Sequence, residues 1–296
     1  MSKIRSYKID KLTVPRMVNY LIVGIAAIIC VFPIILVFTI SISSDMAIKR
    51  YGYQLIPAEL SLEAYRLIFS SNSALVKSYL VSGSVTVIGT MIATAMTAMA
   101  AFTLCNKDVK YRNTLAFYFF IPMVFNAGLV PWYMMCRNLG LTDNFFALIV
   151  PSLMFSSFNM FLCRNFMRGI PDSLMESAKL DGASDFVISF KIYFPLSKPV
   201  IATVALFYGV AYWNDWFNAI MLVNNDALYP LQYMLYKIQS EIASLQRLQP
   251  GVPVRNLPGE SLKMATAIVT IGPIIFFYPF LQKYFVKGLI IGGVKG

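Results

Sequence analysis

One carboxylate stands inside an otherwise uncharged apolar stretch, and it is the first candidate for chemistry in this chain. Asp215 lies in the segment Trp213-Asn214-Asp215-Trp216-Phe217, within the apolar run 199–225. If this run crosses a bilayer, a charge there is costly and is by default a functional candidate. Aromatic rings beside Asn and Asp suit a sugar, because they offer flat apolar faces and partners for hydroxyl groups. The alternative is an aromatic belt at the membrane interface, with the carboxylate near water.

Most hydrolytic and metal chemistry is excluded by what the 296 residues lack. The chain has no His, which is the commonest metal ligand and general base. No G-x-x-x-x-G-K-[ST] phosphate loop is present, so any ATP that drives this protein is hydrolysed by another polypeptide. We expect no catalytic residue, no metal and no cofactor on this chain. The four Cys form no CxxC pair and are typical of membrane-core residues: Cys30, Cys105, Cys136 and Cys163.

The composition predicts an all-α membrane protein. The chain is 58% hydrophobic and 13% charged, whereas soluble domains carry about 25% charged residues. A bilayer core of about 30 Å needs roughly 20 helical residues, and membrane helices tolerate Gly and Pro. Six runs that are free of charge, apart from Asp215, are long enough and predict six transmembrane helices: 17–44, 78–106, 113–136, 144–163, 199–225 and 264–282.

The distribution of Lys and Arg orients these helices. With the N-terminus inside, the cytoplasmic segments hold 16 of the 25 positive residues, as the positive-inside rule requires. Both termini are therefore predicted to be cytoplasmic, and this bias explains most of the net charge of +11 without a nucleic-acid partner. The first run, at 28 residues, is too long for a cleaved signal core. The predicted domains are a tail 1–16, a transmembrane domain 17–290 and a tail 291–296.

A compact cytoplasmic loop, 168–198, separates the fourth run from the fifth. Ser173–Glu176 fits the S-x-x-E capping box and predicts a helix start, and Gly182 predicts a left-handed helix stop. Ser184 or Asp185 can then start a second helix, before two prolines redirect the chain into the membrane. Such a pair of short helices either docks on another protein or lies along the bilayer surface.

This loop resembles the cytoplasmic loop of ABC importer permeases, which reads E-A-A, three residues, G, nine residues, I-x-L-P. Here the same spacing gives Glu176-Ser177-Ala178, Gly182 and Ile192-Tyr193-Phe194-Pro195, with Ser177 replacing Ala and Phe194 replacing Leu. The resemblance covers nearly the whole chain from about residue 17. Four further stretches are similar to the smaller, maltose-type sugar permease, in the branch for complex oligosaccharides, including acidic ones: GLTDNFFALIVPS (140–152), WNDWF (213–217), YPLQ (229–232) and YPFLQKYFVKGLIIGGVKG (278–296).

The resemblance implies a type I ABC importer permease fold in a bacterial cytoplasmic (inner) membrane, surrounded by lipid. It implies as partners a second permease subunit of a different chain, two ATPase subunits that bind ATP and Mg, an extracytoplasmic sugar-binding protein and an oligosaccharide. The segment 172–195 would couple transport to the ATPase, with Glu176 in an ion pair with that subunit. The coupling residues that the resemblance assigns are Glu176, Ala178, Asp181, Gly182, Ala183, Ile192 and Pro195.

Two other classes compete with this interpretation. An ion-coupled secondary transporter would use Asp215 as its coupling carboxylate, but proton relays usually string several Asp, Glu or His through the membrane, and no inverted repeat is apparent. A membrane enzyme would need a cluster of nucleophile, base and metal ligands, which the sequence lacks. We therefore expect a permease whose substrate path includes Trp213, Asn214 and Asp215, with Asn126 in the outer part of the third run as a further candidate.

Overall fold

The computed structural model describes residues 14–69, 74–151, 153–248, 259–273 and 275. Within these ranges the chain is helical, and the only β-pairing is an isolated bridge between Ser43 and Leu60. The α-helices are α1 (Val14–Ser41), α2 (Asp45–Tyr51), α3 (Glu63–Ile68), α4 (Ala74–Cys105), α5 (Arg112–Val124), α6 (Leu129–Asn138), α7 (Ser157–Met167), α8 (Asp172–Leu180), α9 (Asp185–Ile188), α10 (Phe194–Leu196), α11 (Lys198–Trp213), α12 (Phe217–Leu222) and α13 (Leu231–Leu248). A further helix, α14, covers residues 260–273. The described residues form two compact units, one with residues up to Arg66 and 259–268, the other with the rest.

The smaller unit is built on α1 and the segments that follow it. Leu21, Ile28 and Ile29 are exposed along α1, as expected of a helix whose neighbours are lipid or partner helices. The segment after α1 is fixed by the carboxylate of Asp45, which accepts hydrogen bonds from the amides of Gly259 (2.8 Å) and Ser261 (3.0 Å). These two amides lie at the start of α14, where an acidic side chain stabilises free N–H groups.

The long helix α4 is the centre of the larger unit. Both α11 and α7 pack along it. Its buried face carries small side chains, including Ala93 and Ala101, which allow close approach of neighbouring helices as in other membrane bundles. The same core takes in Met160 and Cys163 from α7 and Val204 from α11.

The third apolar run is interrupted. The sequence predicts one helix over 113–136, but α5 ends at Val124, α6 begins at Leu129, and their axes differ by 119°. Pro122 lies near the end of α5, and Gly128 adopts φ +85° before α6. Both residues favour a break, since proline cannot donate a backbone hydrogen bond and glycine enters this φ region without strain.

The prediction of a single helix over the fourth run is also wrong. Residues 144–163 contain a 3-10 turn, Phe145–Leu148, an irregular segment and the start of α7 at Ser157. Such irregular backbone survives in a membrane only where protein groups satisfy it. Here two tyrosines of α11 do so: the hydroxyl of Tyr212 donates to the carbonyl of Ile149 (3.0 Å), and the hydroxyl of Tyr208 accepts from the amide of Ser156 (2.9 Å).

The last two runs follow the prediction only in part. The helix of the fifth run, α11, ends at Trp213, and residues 214–216 separate it from α12. For the run 264–282, α14 covers residues up to 273, and the positions beyond 275 lie outside the described residues. The cytoplasmic tails predicted at 1–16 and 291–296 lie outside them as well, except for the first turn of α1.

Length and composition identify two uninterrupted membrane-crossing helices among the described residues, Val18–Ser41 and Leu75–Cys105. Two bent pairs, Arg112–Val124 with Leu129–Asn138 and Asp185–Leu196 with Lys198–Trp213, raise that number to four if each pair is one span. The helical class is therefore confirmed, whereas the number of six spans stays a prediction.

Candidate functional site

The loop 168–198 contains the predicted pair of short helices, but the first helix starts differently. The capping-box prediction is wrong: α8 begins at Asp172, its N-cap is Pro171, and no side chain caps it. Ser173 is therefore already inside the first turn. Glu176 is exposed one turn further on, and its carboxylate is free of the capping role that the sequence assigned to it.

Gly182 ends α8 as predicted. It adopts φ +79°, its amide donates to the carbonyl of Lys179 (3.0 Å), and the next amide, of Ala183, donates to the carbonyl of Ala178 (3.0 Å). These two bonds are the Schellman pattern of helix ends. A Cβ at position 182 would meet nothing within 4 Å, so a side chain there would point into open space beside α8.

The second helix starts at the predicted residue. Ser184 is the N-cap of α9, and its hydroxyl oxygen accepts from the amide of Val187 (3.4 Å). The helix continues through a π turn, Ser189–Tyr193, into α10, which contains Pro195. Proline at 195 cannot donate to the carbonyl four residues earlier, and a π turn is one way to absorb that loss. The chain then bends by 84° into α11, as the paired prolines predict.

The loop has an inner face and an outer face. Met175 and Ala178 are buried against the core, and Ala183 and Ile192 pack partly against it. Asp181 and Glu176 are exposed on the other side. The coupling residues assigned by resemblance therefore do not form one surface: the acidic residues are accessible to solvent, while Ala178, Ala183 and Ile192 pack towards the helices.

Charged side chains join this loop to the short segment between α4 and α5. Lys107 pairs with Asp172, and Lys179 pairs with Asp108 and, at 3.5 Å, with Asp185. The hydrogen bond with Asp108 raises the pKa of Lys179 above its ordinary value, so the ammonium group stays charged at neutral pH. The sequence analysis missed these contacts because the partners are 65 and 71 residues apart.

Asp215 lies in the break between α11 and α12, which corrects its placement inside a helix. Its Oδ1 accepts from the amides of Phe217 (3.1 Å) and Asn218 (3.3 Å), so that it caps α12. Its Oδ2 is buried and has no hydrogen-bond partner among the described residues. The carboxylate thus has a structural task on one oxygen and an unused acceptor on the other.

The neighbours of Asp215 are tied to other elements. The Nε1 of Trp213 donates to the carbonyl of Thr270 (3.1 Å). The side-chain oxygen of Asn214 accepts from the side-chain Nε2 of Gln232 (3.0 Å) on α13. Trp213 and Asn214 therefore contribute to packing between helices, whatever else they bind.

An exposed aromatic pair beside the break was not found from the sequence. Trp216 stacks on Tyr236 of α13, with ring centroids 5.3 Å apart and planes at 16°. The exposed fractions of the two residues are 43% and 44%, which leaves ring faces accessible to a ligand. The spacing of Tyr233 and Tyr236 could have indicated this helix face, because residues three apart lie on one side of a helix.

Asn126 lies in the break between α5 and α6 instead of inside a third helix. Its side-chain oxygen accepts from the amide of Gly128 (2.9 Å) and shapes that turn. The contact from this region towards the fifth run is made by Trp132 of α6, whose ring lies 5.5 Å from that of Phe217. No group of three or more metal-ligating side chains occurs in the described part of the chain.

These features define a helical membrane protein with interrupted helices and a compact loop of short helices between α7 and α11. The chain belongs to the family described as the inner membrane component of binding-protein-dependent transport systems, which matches residues 98–291. The resemblance to ABC importer permeases is thereby confirmed, and with it the type I importer fold, the inner-membrane location and a transport role in place of an enzymatic one. The ion-coupled alternative is not supported.

Two relatives and one solved structure illustrate the match. The polygalacturonan/rhamnogalacturonan transport system permease protein YtcP of Bacillus subtilis (strain 168) is 40% identical over 288 residues, covering 95% of this chain and 99% of the relative. The arabinooligosaccharides transport system permease protein AraQ of Halalkalibacterium halodurans is 26% identical and is covered over 99% of its length. A solved bacterial ABC transporter involved in import of the acidic polysaccharide alginate has a chain that matches with a TM-score of 0.79 and 31% identity, over 91% of this chain and 95% of that one.

Proposed function

We propose that this chain is the permease subunit of an importer for oligosaccharides, and that acidic ones are the first to test. The observation that carries this proposal is the full-length similarity to a permease named for polygalacturonan and rhamnogalacturonan transport. The structural neighbour named for alginate import also acts on an acidic polysaccharide. As its partners we propose a second permease of a different chain, two ATPase subunits that hold ATP and Mg, and an extracytoplasmic sugar-binding protein.

The purified complex with its co-expressed partners tests this function directly. We expect ATP hydrolysis to rise when the binding protein carries galacturonate oligosaccharides, with neutral maltodextrins and arabinooligosaccharides as comparison ligands. Stimulation by neutral glycans only would overturn the acidic preference but keep the importer. Absence of stimulation by every oligosaccharide, in a complex that still hydrolyses ATP, would overturn the proposed substrate class.

The loop 172–195 is proposed as the site where the ATPase docks. The support is its geometry: two short helices held at a fixed angle by the turn at Gly182, with Glu176 and Asp181 exposed towards the cytoplasm. A rigid element on membrane helices passes on a partner's movement, whereas a flexible loop would absorb it. Met175 and Ala178 fix the first helix to the core, while Leu180 (90% exposed) and Phe186 (64% exposed) offer apolar contacts to a docked partner.

The substrate path is proposed to run past the break at 214–216. Interrupted helices line binding sites in other transporters, because their unwound backbone offers polar groups at membrane depth. The support here is the unpartnered Oδ2 of Asp215 and the exposed stacked rings of Trp216 and Tyr236. Flat aromatic faces beside a carboxylate fit the alternating apolar and hydroxyl surfaces of a sugar ring.

Six spans with both termini in the cytoplasm complete the proposal. The cytoplasmic excess of Lys and Arg supports this orientation. The interrupted runs do not contradict it, since broken helices still cross a membrane when neighbouring groups satisfy their backbone.

A further inference from the structure

The segment between α4 and α5 contacts α8 at two points with opposite polarity. Lys107 pairs with Asp172 at the start of α8, and its neighbour Asp108 pairs with Lys179 near the end. Seven residues separate the two α8 partners, which is about 10 Å along a helix. One short segment therefore holds both ends of the same helix.

The segment itself is held in place at the end of α4. Asn106 is 2% exposed, its amide donates to the carbonyl of Phe102 (3.0 Å), and its side-chain oxygen accepts from the amide of Asp108 (3.0 Å). This turn directs Lys107 and Asp108 towards α8 and fixes them to the last turn of α4.

The polarity of the pairs agrees with the dipole of α8. The acidic partner, Asp172, lies in its first turn and the basic partner, Lys179, in its last, where such charges are favoured. Lys179 also reaches Asp185, the first residue of α9, across the turn at Gly182. One ammonium group thus connects the segment after α4, the first loop helix and the second.

Stability alone is a poor reason for this arrangement. The side chains in both pairs are substantially exposed to solvent, and exposed ion pairs add little to folding stability. The ion pairs do restrict rotation of α8. Without them, only the two buried side chains Met175 and Ala178 would hold the orientation of this helix when a partner docks on it. Two charge contacts at its ends would hold its orientation relative to α4.

We propose that the pairs Lys107–Asp172 and Asp108–Lys179 form a clamp through which movement of α8 is passed directly to α4, in addition to the covalent route into α11. This inference rests on the proposed docking of the ATPase on the loop. Lys107 and Asp108 are then positioning residues. They touch neither sugar nor nucleotide, and they determine which membrane helix moves when the loop moves.

The decisive variant exchanges the two charges of the segment, Lys107→Asp with Asp108→Lys. Net charge is unchanged, α8 is untouched, and both contacts become like-charge contacts. Adding Asp172→Lys with Lys179→Asp restores opposite charges at both points. Lys110→Asp is the matched control, because Lys110 lies in the same segment and its recorded contact is with the ring of Tyr111.

The experiment uses the purified full complex, with the four native cysteines replaced, and MgATP as the probe, so that the sugar need not be known. Single cysteines are placed at Thr103, exposed in the last turn of α4, and at Leu196, exposed before α11. In the wild-type background we expect MgATP to change the labelling rate at both positions. The charge exchange should abolish the change at Thr103 and retain it at Leu196, and the fourfold variant should restore it in part, because position 179 then faces Asp185 with like charge.

A charge-exchanged complex that keeps the MgATP response at both positions, or a wild-type complex without a response at Thr103, overturns the clamp. If the ATPase does not dock on the loop, Gly182→Val leaves both the recovery of the ATPase and the MgATP response at Leu196 intact. If the charge exchange prevents accumulation in the membrane, the neutral pair Lys107→Gln with Asp108→Asn replaces it, with the same loss expected at Thr103.

Discussion

The ring of Tyr212 occupies the space that a side chain at Gly89 would need. An ideal Cβ on Gly89 would lie 2.6 Å from Cζ of that ring, well inside van der Waals contact. The ring cannot swing away freely, because the Tyr212 hydroxyl donates to the carbonyl of Ile149 at 3.0 Å. The packing of α11 against α4 at this point therefore depends on a glycine and is coupled to the backbone of the irregular segment before α7.

Gly89→Ala is expected to destabilise the protein for this reason. Overpacking of a well-packed core costs about 1–3 kcal/mol, which exceeds the gain of about 0.5–1 kcal/mol from replacing glycine in a helix. The thermal midpoint of the detergent-solubilised complex measures the difference. Gly83→Ala in the same helix is the control, since nothing lies within 4 Å of a Cβ there. Equal midpoints for the two variants would show that the close contact is not limiting.

Gly182→Val is expected to release or uncouple the ATPase while the protein stays in the membrane. At φ +79° a residue with a Cβ is strained by about 1–2 kcal/mol, and a β-branched one is the least tolerated. Asn enters this region more easily, so Gly182→Asn should keep most of the ATPase. Co-purification of the ATPase with each variant, alongside sugar uptake, measures the effect.

Glu176→Lys belongs to the same test of the loop, because it reverses an exposed charge without touching the helix cap. It should reduce ATPase recovery as Gly182→Val does. Full recovery and normal uptake in both variants would contradict docking on α8.

Local features of the loop could be predicted from the sequence, and long-range ones could not. The stop at Gly182 and the cap at Ser184 depend on residues within one or two turns, so the pattern of residue types is enough. The start of α8 was misplaced by two residues, because the capping box makes Ser173 the N-cap whereas Pro171 holds that position. The contacts of Lys107 and Asp108 depend on how distant segments meet, which no local pattern encodes.

The apolar runs also combine features that the sequence predicts with features that it does not. Absence of charge predicts that a segment avoids water, but it does not predict that its helix is continuous. The irregular backbone before α7 persists because side chains far along the chain satisfy it, whereas the break at 125–128 is shaped by Asn126 within the turn. The side-chain Nδ2 of Asn218, for example, donates to the carbonyl of Pro151 (3.1 Å), 67 residues away. Asp215 was correctly selected as unusual, whereas its role as a cap required the structure.

The proposed orientation predicts that the loop is protected from outside reagents. A cysteine at Leu180, which is 90% exposed, should react with an impermeant maleimide only after the membrane is opened. A cysteine at Leu248, between the fifth and sixth runs and therefore outside in the proposed orientation, should react in intact cells. Labelling of Leu180→Cys in intact cells would reverse the orientation, and with it the docking of a cytoplasmic ATPase on this loop.

Substitutions at Asp215 separate its structural task from a role in the substrate path. Asp215→Asn keeps an oxygen that can cap α12 but removes the charge, whereas Asp215→Ala removes both. Loss of a cap costs about 0.5–2 kcal/mol, so the Ala variant should lower the thermal midpoint and the Asn variant should not. If the buried Oδ2 binds sugar hydroxyls, both variants should reduce uptake, with normal ATPase recovery in the Asn variant.

Trp213→Phe is the companion variant, since it keeps an aromatic face and removes only the N–H that donates to the carbonyl of Thr270. It should transport nearly normally if the ring face is what the path uses, whereas Trp213→Ala should not. Uptake by membrane vesicles at matched permease levels gives the comparison. Normal uptake by Asp215→Asn and Trp213→Ala together would assign this break to helix packing, and the substrate path would then have to lie elsewhere in the membrane domain.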